Sequence, residues 1–147
     1  SKLNMSNSFE GSEIFEAPPE KILLLINNFE SYKEFLPGCL ESIRLPSSEE
    51  GKIFGRLVFS ILNKTYSFES TNKTTGFEVQ ISQSQGPFLD FHALWSLELI
   101  DKKYTKVNFV ADFNLPFSMK LFAKQPLIDK LGVKFLNAFR KQLLKKN

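Results

Sequence analysis

The sequence predicts an α+β fold in which a curved antiparallel sheet grips one long C-terminal helix. Two patterns lead to this prediction. From residue 40 to residue 113, short segments that alternate apolar and polar residues are separated by brief turns, which is typical of an antiparallel meander. In residues 118–146, apolar residues recur every three or four positions instead, which predicts a helix with one apolar stripe. Such a helix has to cover the sheet, because its stripe must be buried.

The segment before the meander predicts one strand and two short helices. Ser6–Ala17 mixes apolar and polar residues like an edge strand, and the prolines that follow it favour a helix start. Lys21–Phe29 has apolar residues spaced for a short helix with a buried face. Glu30–Leu36 predicts a second helix, which ends at Pro37-Gly38.

Six further strands follow from the alternation. In residues 52–62, for example, Leu57 and Phe59 fall on one face, whereas Arg56 and Ser60 fall on the other. The predicted strands are 40–45, 52–62, 66–71, 77–82, 91–99 and 107–113, and the predicted turns are 46–51, 63–64, 72–76, 83–87 and 101–103.

The C-terminal helix contains a proline. Pro126 lacks a backbone N–H donor, and its ring clashes with the preceding helical turn. We therefore expect Pro126 to kink or interrupt the helix after its first two turns.

Composition limits the class of protein. The chain has 147 residues, 42% of them hydrophobic and 24% charged, so we read residues 5–147 as one domain and give residues 1–4 no weight. A single Cys and a single His exclude a Cys/His zinc cluster, which needs about four ligands. No run of about 18 apolar residues predicts a membrane span, and no basic-then-apolar leader opens the chain, so we expect a cytoplasmic protein.

Charge is distributed unevenly. Residues 118–147 hold eight basic residues and one acidic residue, although the net charge of the whole chain is only +3. A basic helix on an acidic body suits phosphate groups, either of lipid headgroups or of RNA. Alternatively, these side chains only solubilise the outer face of the helix. The residues expected at a membrane or RNA contact are Lys124, Lys134, Arg140, Lys141, Lys145 and Lys146.

No catalytic motif is found. The sequence has no phosphate-binding glycine loop and no nucleophile elbow, and Cys39 reads as a structural thiol. His92 could serve as a general base, but alternation puts His92, Asp112 and Asn114 on the face of the sheet opposite the aromatic residues. We therefore expect no enzyme, no metal site and no covalently bound cofactor.

Phenylalanine is unusually frequent, with 16 Phe beside 3 Tyr and 1 Trp. The rings either fill an ordinary core or line an apolar cavity, since a curved sheet under one helix encloses more volume than one helical stripe fills. Leu36 and Pro37 would stand near the mouth of such a cavity. The other expected ligand-binding residues are Phe59, Phe68, Phe77, Trp95, Phe109, Phe135 and Phe139.

Several segments resemble a known family. Residues 32–39, Tyr-Lys-Glu-Phe-Leu-Pro-Gly-Cys, resemble the Y-x-x-F-L-P-x-C segment that follows the first helix in the coenzyme Q-binding START-like and ribosome association toxin RatA family. Gly86-Pro87-Phe88, Trp95 and residues 107–113 resemble the G-P-F, W and V-x-F-x-x-x-F series of that family. The likeness spans about residues 9–144, nearly the whole chain.

This resemblance implies a helix-grip fold, like that of START and Bet v 1 proteins, with a cavity open to lipids. It implies first a carrier of ubiquinone or a related prenylated quinone that supports respiration or quinone biosynthesis and touches the inner membrane transiently. It implies second, as the alternative, a toxin that binds the large ribosomal subunit and blocks subunit joining. A third implication is a cyclase-like enzyme, because the wider polyketide cyclase/dehydrase superfamily includes aromatase/cyclases.

Overall fold

The computed structural model describes residues 7–47 and 49–145. Within these residues the strands are β1 (Asn7–Phe15), β2 (Cys39–Leu45), β3 (Lys52–Ile61), β4 (Lys64–Thr75), β5 (Glu78–Gln85), β6 (Asp90–Leu99) and β7 (Thr105–Asn114). The helices are α1 (Pro19–Asn27), α2 (Tyr32–Phe35), α3 (Phe117–Lys120) and α4 (Gln125–Lys145), and a 3-10 turn at Phe29–Ser31 joins α1 to α2.

The strands form one antiparallel sheet with the order β1-β7-β6-β5-β4-β3-β2. Consecutive strands pair from β2 to β7, whereas β1 pairs with β7, so that Asn7 lies opposite Phe113 and Phe15 opposite Thr105. The long helix α4 lies on the inner face of the sheet and makes its most extensive strand contacts with β1. The predicted fold, a sheet that grips a C-terminal helix and has short helices after its first strand, is confirmed.

The contact between α4 and β1 depends on a residue without a side chain. Gly11 of β1 lies opposite Phe109 of β7, and a Cβ at Gly11 would stand 2.5 Å from Cδ1 of Leu136 on α4. Leu136 is buried. Its side chain occupies the space that a larger residue at position 11 would need, which brings helix and strand into van der Waals contact.

Strand β4 is longer than the alternation predicted, because the expected turn at residues 72–76 is strand as far as Thr75. Asn72 is buried and lies between Ile53 of β3 and Ile81 of β5. The prediction was wrong here because polar residues at inward-facing positions resemble a turn in sequence. The chain turns only at Gly76, whose φ of +58° is a left-handed conformation that glycine adopts without strain.

The expected interruption of the C-terminal helix is confirmed, but it has a different form. The short helix α3 ends at Lys120, and α4 begins at Gln125, so Pro126 is the second residue of a new helix. In the first turn of a helix the backbone N–H has no intrahelical partner, and proline costs nothing there. Pro126 therefore starts α4 and does not bend it.

Candidate functional site

A cluster of four aromatic rings joins the sheet to α4. Trp95 of β6 lies opposite Phe109 of β7, and their ring centroids are 4.8 Å apart. Phe135 of α4 is 5.0 Å from Phe109, and Phe139 is 5.0 Å from Trp95. Trp95 and Phe139 are fully buried. The structure thus brings four of the predicted lining residues together, and where they meet the interior is filled ring against ring.

The indole N–H of Trp95 stands out within this central cluster. The Nε1 atom is buried and has no hydrogen-bond partner among the residues that the structure describes. A buried N–H donor without an acceptor costs about 1–3 kcal/mol, and tryptophan usually finds an acceptor when it is buried. The cluster therefore holds one unused donor in an otherwise apolar environment.

A second aromatic cluster lies under the loop between β5 and β6. Phe88 of that loop is 5.9 Å from Phe68, 5.1 Å from Phe91 and 5.4 Å from Phe113, measured between ring centroids. The side-chain amide of Gln83 fixes the loop, because Nε2 donates to the Phe88 carbonyl at 2.9 Å and Oε1 accepts from the Phe88 N–H at 3.2 Å. Phe68 thus belongs to a packed group separate from Trp95.

Several apolar side chains on the inner face of β3, β4 and β5 are only half-buried. Leu57, Tyr66 and Ile81 pack against the core but keep part of their surface accessible, and Phe59 lies 5.5 Å from the Tyr66 ring. These strands lie on the side of the sheet away from β1, where α4 makes its main contacts. We call this surface, together with half-buried Phe135 of α4, the inner groove. Its chemistry is apolar and aromatic, which suits a flat hydrophobic ligand.

A line of polar residues on β4 adjoins the inner groove. Ser70 and Asn72 are buried, and the Ser70 hydroxyl lies 3.5 Å from Oδ1 of Asn72. Further along the strand, Nδ2 of Asn27 on α1 donates to the Thr74 hydroxyl at 3.2 Å. Sequence reasoning missed these residues because it assigned Asn72 and Thr74 to a turn. The signal that identifies them is the continued alternation with Lys73 and Thr75, which point outward.

The remaining predicted ligand-binding residues, Leu36, Pro37 and Phe77, differ in their exposure. Leu36, directly after α2, is buried, whereas the following Pro37 is exposed. Phe77 stands in the turn before β5 with 40% of its surface exposed. Phe77 has the same parity as Val79, but it comes just before the strand begins, and its carbonyl accepts from the Leu97 N–H of β6 at 3.0 Å.

The polar residues considered for catalysis lie on the outer face, as alternation predicted. His92 and Asp112 are opposite each other in β6 and β7, and both are exposed. Asn114 donates through Nδ2 to both carboxylate oxygens of Asp90, at 3.0 and 2.8 Å. In the described part of the chain, no group of three or more His, Cys, Asp or Glu residues is arranged to hold a metal ion.

Burial changes the acidity of Tyr32, whose ring packs on Phe139 of the central cluster, and of Cys39. The Tyr32 hydroxyl donates to the Ile26 carbonyl, and burial, helped by the nearby Cys39, raises the pKa of Tyr32 above its ordinary value. Burial also raises the pKa of the Cys39 thiol, which donates to the Glu41 carbonyl at 3.3 Å. Both groups are therefore neutral at pH 7, and Cys39 has the character of a structural thiol.

The basic residues of the C-terminal helix divide into two kinds. Arg140 is half-buried, lies 3.6 Å from the carboxylate of Glu13 on β1, and donates to Oδ1 of Asn137 at 2.9 Å. We expected Arg140 at a membrane or RNA contact, whereas its guanidinium faces Glu13 of β1. The residues that are exposed as expected are Lys124, Lys134, Lys141 and Lys145, whereas Lys146 is outside the described residues.

A surface cleft of about 420 Å³ lies around the turn between β2 and β3. Its lining includes Glu30, Arg44 and Lys52, and it contains none of the aromatic residues discussed above. The Arg44 guanidinium donates to the Asn27 carbonyl at 3.1 Å, and Lys52 pairs with Glu49 at 3.4 Å. Because Arg44, Lys52 and Glu49 in this cleft already have partners, we regard the inner groove as the better candidate site.

The sheet that grips α4, with apolar groups between the layers, defines a START-like helix-grip protein. The family model for "polyketide cyclase / dehydrase and lipid transport" matches residues 15–140, and the chain belongs to this family. A ribosome association toxin RatA of Vibrio cholerae is 28% identical over 84% of this chain and 85% of its own length.

Two solved structures share the fold. The Zhui aromatase/cyclase from Streptomyces sp. R1128 has a TM-score of 0.82 at 14% identity, covering 96% of this chain and 95% of its own. A START superfamily protein from Mycobacterium smegmatis has a TM-score of 0.75 at 18% identity, covering 95% and 94%. The described residues include no helix with the length and hydropathy to span a membrane.

Proposed function

We propose that this protein binds an apolar small molecule of the prenylated quinone class in the inner groove and carries it for respiration or quinone biosynthesis. The observation that carries the proposal is that Leu57, Tyr66 and Ile81 on the inner face of the sheet, and Phe135 of α4, are only half-buried. Covering such a surface with a ring and an isoprenoid tail removes apolar area from water, which contributes about 25 cal/mol per Å². The protein would act in the cytoplasm, with transient contact to the inner membrane.

The unused donor of Trp95 supports a ligand that carries a carbonyl group. The indole N–H is buried beside Phe135, whose ring is 5.6 Å from the tryptophan ring. A quinone has carbonyl oxygens that accept hydrogen bonds and a ring that stacks on aromatic side chains. The buried Ser70 and Asn72 add polar groups on β4, where Asn72 lies next to Ile81.

The direct test is organic extraction of natively purified protein, followed by mass spectrometry. We expect a near-stoichiometric prenylated quinone. Trp95 is the single tryptophan, so its fluorescence also reports titration with a short-chain ubiquinone. An empty extract after incubation with cell membranes, together with unchanged fluorescence in the titration, would contradict the proposal.

Two neighbouring positions on β5 provide a matched pair of variants. Ile81 is half-buried on the inner face, whereas Gln80 is exposed on the outer face of the same strand. We expect Ile81→Trp to fill the groove and abolish quinone binding, and Gln80→Trp to leave binding unchanged. Equal loss in both variants would indicate general disruption and would not support a groove.

Ribosome association is the second candidate. The relative from Vibrio cholerae is named a ribosome association toxin, and Lys134, Lys141 and Lys145 are exposed on α4. A contact between lysines and rRNA phosphates predicts co-sedimentation with the large subunit that weakens steeply with salt. We expect Lys134→Glu/Lys141→Glu to lose this co-sedimentation, and Lys21→Glu/Lys106→Glu, at exposed positions elsewhere, to retain it.

A cyclase-like reaction is the third candidate. It would need acid–base groups inside the groove, whereas His92 and Asp112 are exposed on the outer face. The polar residues that do adjoin the groove are neutral side chains such as Asn72 and Ser70. Binding therefore explains the site with fewer requirements than catalysis does.

A further inference from the structure

Three strongly exposed apolar side chains lie where β6 begins and β7 ends. Leu89, Phe117 and Leu121 have 68%, 77% and 65% of their surface exposed. Leu89 precedes β6, and its backbone N–H donates to the carbonyl of Asn114, the last residue of β7, at 2.9 Å. Since α3 begins three residues after Asn114, Leu89 and α3 lie at the same end of the sheet.

The short helix α3 is anchored so that it presents two of these side chains. Met119 is buried with 5% exposed, which fixes α3 on the core. Phe117 and Leu121 are four residues apart and therefore lie on one side of the helical turn, away from Met119. We call Leu89, Phe117 and Leu121 the apolar rim.

Basic residues accompany Phe117 and Leu121 of the apolar rim. From Leu115 to Ile128 the chain contains Lys120 and Lys124 and no acidic residue. Asp90, which follows Leu89, accepts both hydrogen bonds from Asn114. Lys120 and Lys124 therefore place positive charge beside Phe117 and Leu121, while the Asp90 carboxylate beside Leu89 keeps its negative charge and is held by the neutral Asn114 amide.

We propose that the apolar rim docks this protein onto a bilayer with anionic headgroups. Leucine and phenylalanine side chains enter the interface, while the lysines stay at the level of the lipid phosphates. A bilayer fits better than RNA, because only Phe117 among the three rim side chains offers a ring on which a base could stack. Grouped exposed apolar side chains also mark sites of interaction with membranes or proteins in general.

This inference rests on the proposed function, because a carrier of an apolar ligand has to meet the membrane that supplies it. The position of the apolar rim fits this requirement. Leu89 directly follows Phe88, whose ring packs on Phe68 and Phe91 at the inner face of the sheet. Docking at the apolar rim would therefore place the β5–β6 loop between the bilayer and the aromatic interior.

The test is flotation with vesicles of phosphatidylcholine and phosphatidylglycerol, compared with phosphatidylcholine alone. We expect binding to the anionic vesicles, reduced at least about tenfold in Leu89→Ser/Phe117→Ser/Leu121→Ser, because that variant loses most of the apolar area available for insertion. The matched control is Leu24→Ser/Leu99→Ser/Ile100→Ser, at positions 72%, 55% and 51% exposed, and it should float like the wild type. Lys120→Gln/Lys124→Gln should weaken binding to the anionic vesicles alone.

Several outcomes would overturn docking at the apolar rim. They are flotation of the triple rim variant at the wild-type level, equal loss in the control, and a wild type that binds neither vesicle. A wild-type dimer that becomes monomeric in the rim variant, without vesicle binding, would assign the apolar rim to a second copy of the chain.

Organic extraction distinguishes quinone binding from docking at the apolar rim, because the rim variant should still contain its quinone. A loaded wild type that does not float contradicts docking alone. An empty wild type that floats contradicts quinone carriage alone.

Discussion

The ring of Phe9 on β1 occupies the position that a Cβ of Gly132 on α4 would take, with ring carbons 2.4 Å from that position. One turn further along α4, Leu136 stands in the same relation to Gly11 of β1. Each element thus contributes one glycine and one large side chain to the interface. This reciprocal fit sets how closely helix and edge strand approach.

Gly132→Ala tests this fit. Alanine favours a helix over glycine by about 1 kcal/mol, but overpacking against the Phe9 ring costs about 1–3 kcal/mol. We expect a net loss in the free energy of unfolding, measured by chemical denaturation. Val133→Ala, at an exposed position of the same helix, should change it by less than about 0.5 kcal/mol. A Gly132→Ala variant that is more stable than the wild type would contradict the contact.

Trp95→Phe separates the donor from the ring at the centre of the aromatic cluster. Trp95→Phe removes the unpartnered Nε1–H and keeps a ring beside Phe109 and Phe139. It should therefore lower the free energy of unfolding by less than Trp95→Ala, for which the loss is about 3–5 kcal/mol. We expect the folded variant to retain markedly less quinone on extraction. Phe109→Leu, which loosens packing without removing a donor, is the control. Equal quinone content in the two variants would show that the donor has no role.

The Glu13–Arg140 pair joins β1 to α4 with a half-exposed ionic contact of 3.6 Å. Pairs of this kind contribute about 0.2–1 kcal/mol and are screened by salt. A double-mutant cycle with Glu13→Gln and Arg140→Gln should give a coupling energy in that range that falls at high salt. Arg140→Gln should also leave salt-dependent binding to ribosomes or vesicles unchanged, in contrast to the exposed lysines.

The buried Tyr32 should make the free energy of unfolding fall at high pH. Burial raises its pKa in the folded chain, so the folded state favours the neutral phenol. That contribution to stability is fully present below about pH 10, the ordinary value for tyrosine, and is lost as the pH rises further. Measured in a Cys39→Ala background to remove the thiol, unfolding free energy should fall above that pH, and Tyr32→Phe should flatten the decline. At neutral pH Tyr32→Phe should lower the free energy of unfolding by about 0.5–1.5 kcal/mol, because the hydrogen bond to the Ile26 carbonyl is lost.

The sequence predicted the fold because its strongest patterns are local. Alternation in β6 and β7 and the apolar stripe of α4 each follow from one element's own periodicity. Predictions were wrong where polar residues face inward, as at Asn72, since the pattern marks burial only through apolar side chains. The placement of Pro126 shows a related limit: its effect depends on whether a helix already exists before it.

The candidate site was harder to predict, because it depends on distances between elements. Alternation correctly put Trp95 and Phe109 on one face. It gave no information on how far α4 stands from β3 and β5, which decides whether aromatic residues meet as packed rings or remain half-buried. Arg140 illustrates the same point, because its partner Glu13 lies on a strand at the other end of the chain.

Pairing of β1 with β7 joins positions separated by roughly a hundred residues, since Asn7 meets Phe113. Contacts so distant in sequence raise the contact order and slow folding, because a long loop must close before they form. During synthesis the β2–β7 meander can assemble before α4 has been made, and β1 has no partner strand until β7 has formed. Until α4 packs on the sheet, Trp95 and Phe109 lack their contacts with Phe135 and Phe139. Newly made chains therefore pass through a stage in which this aromatic surface is open to aggregation or to chaperones.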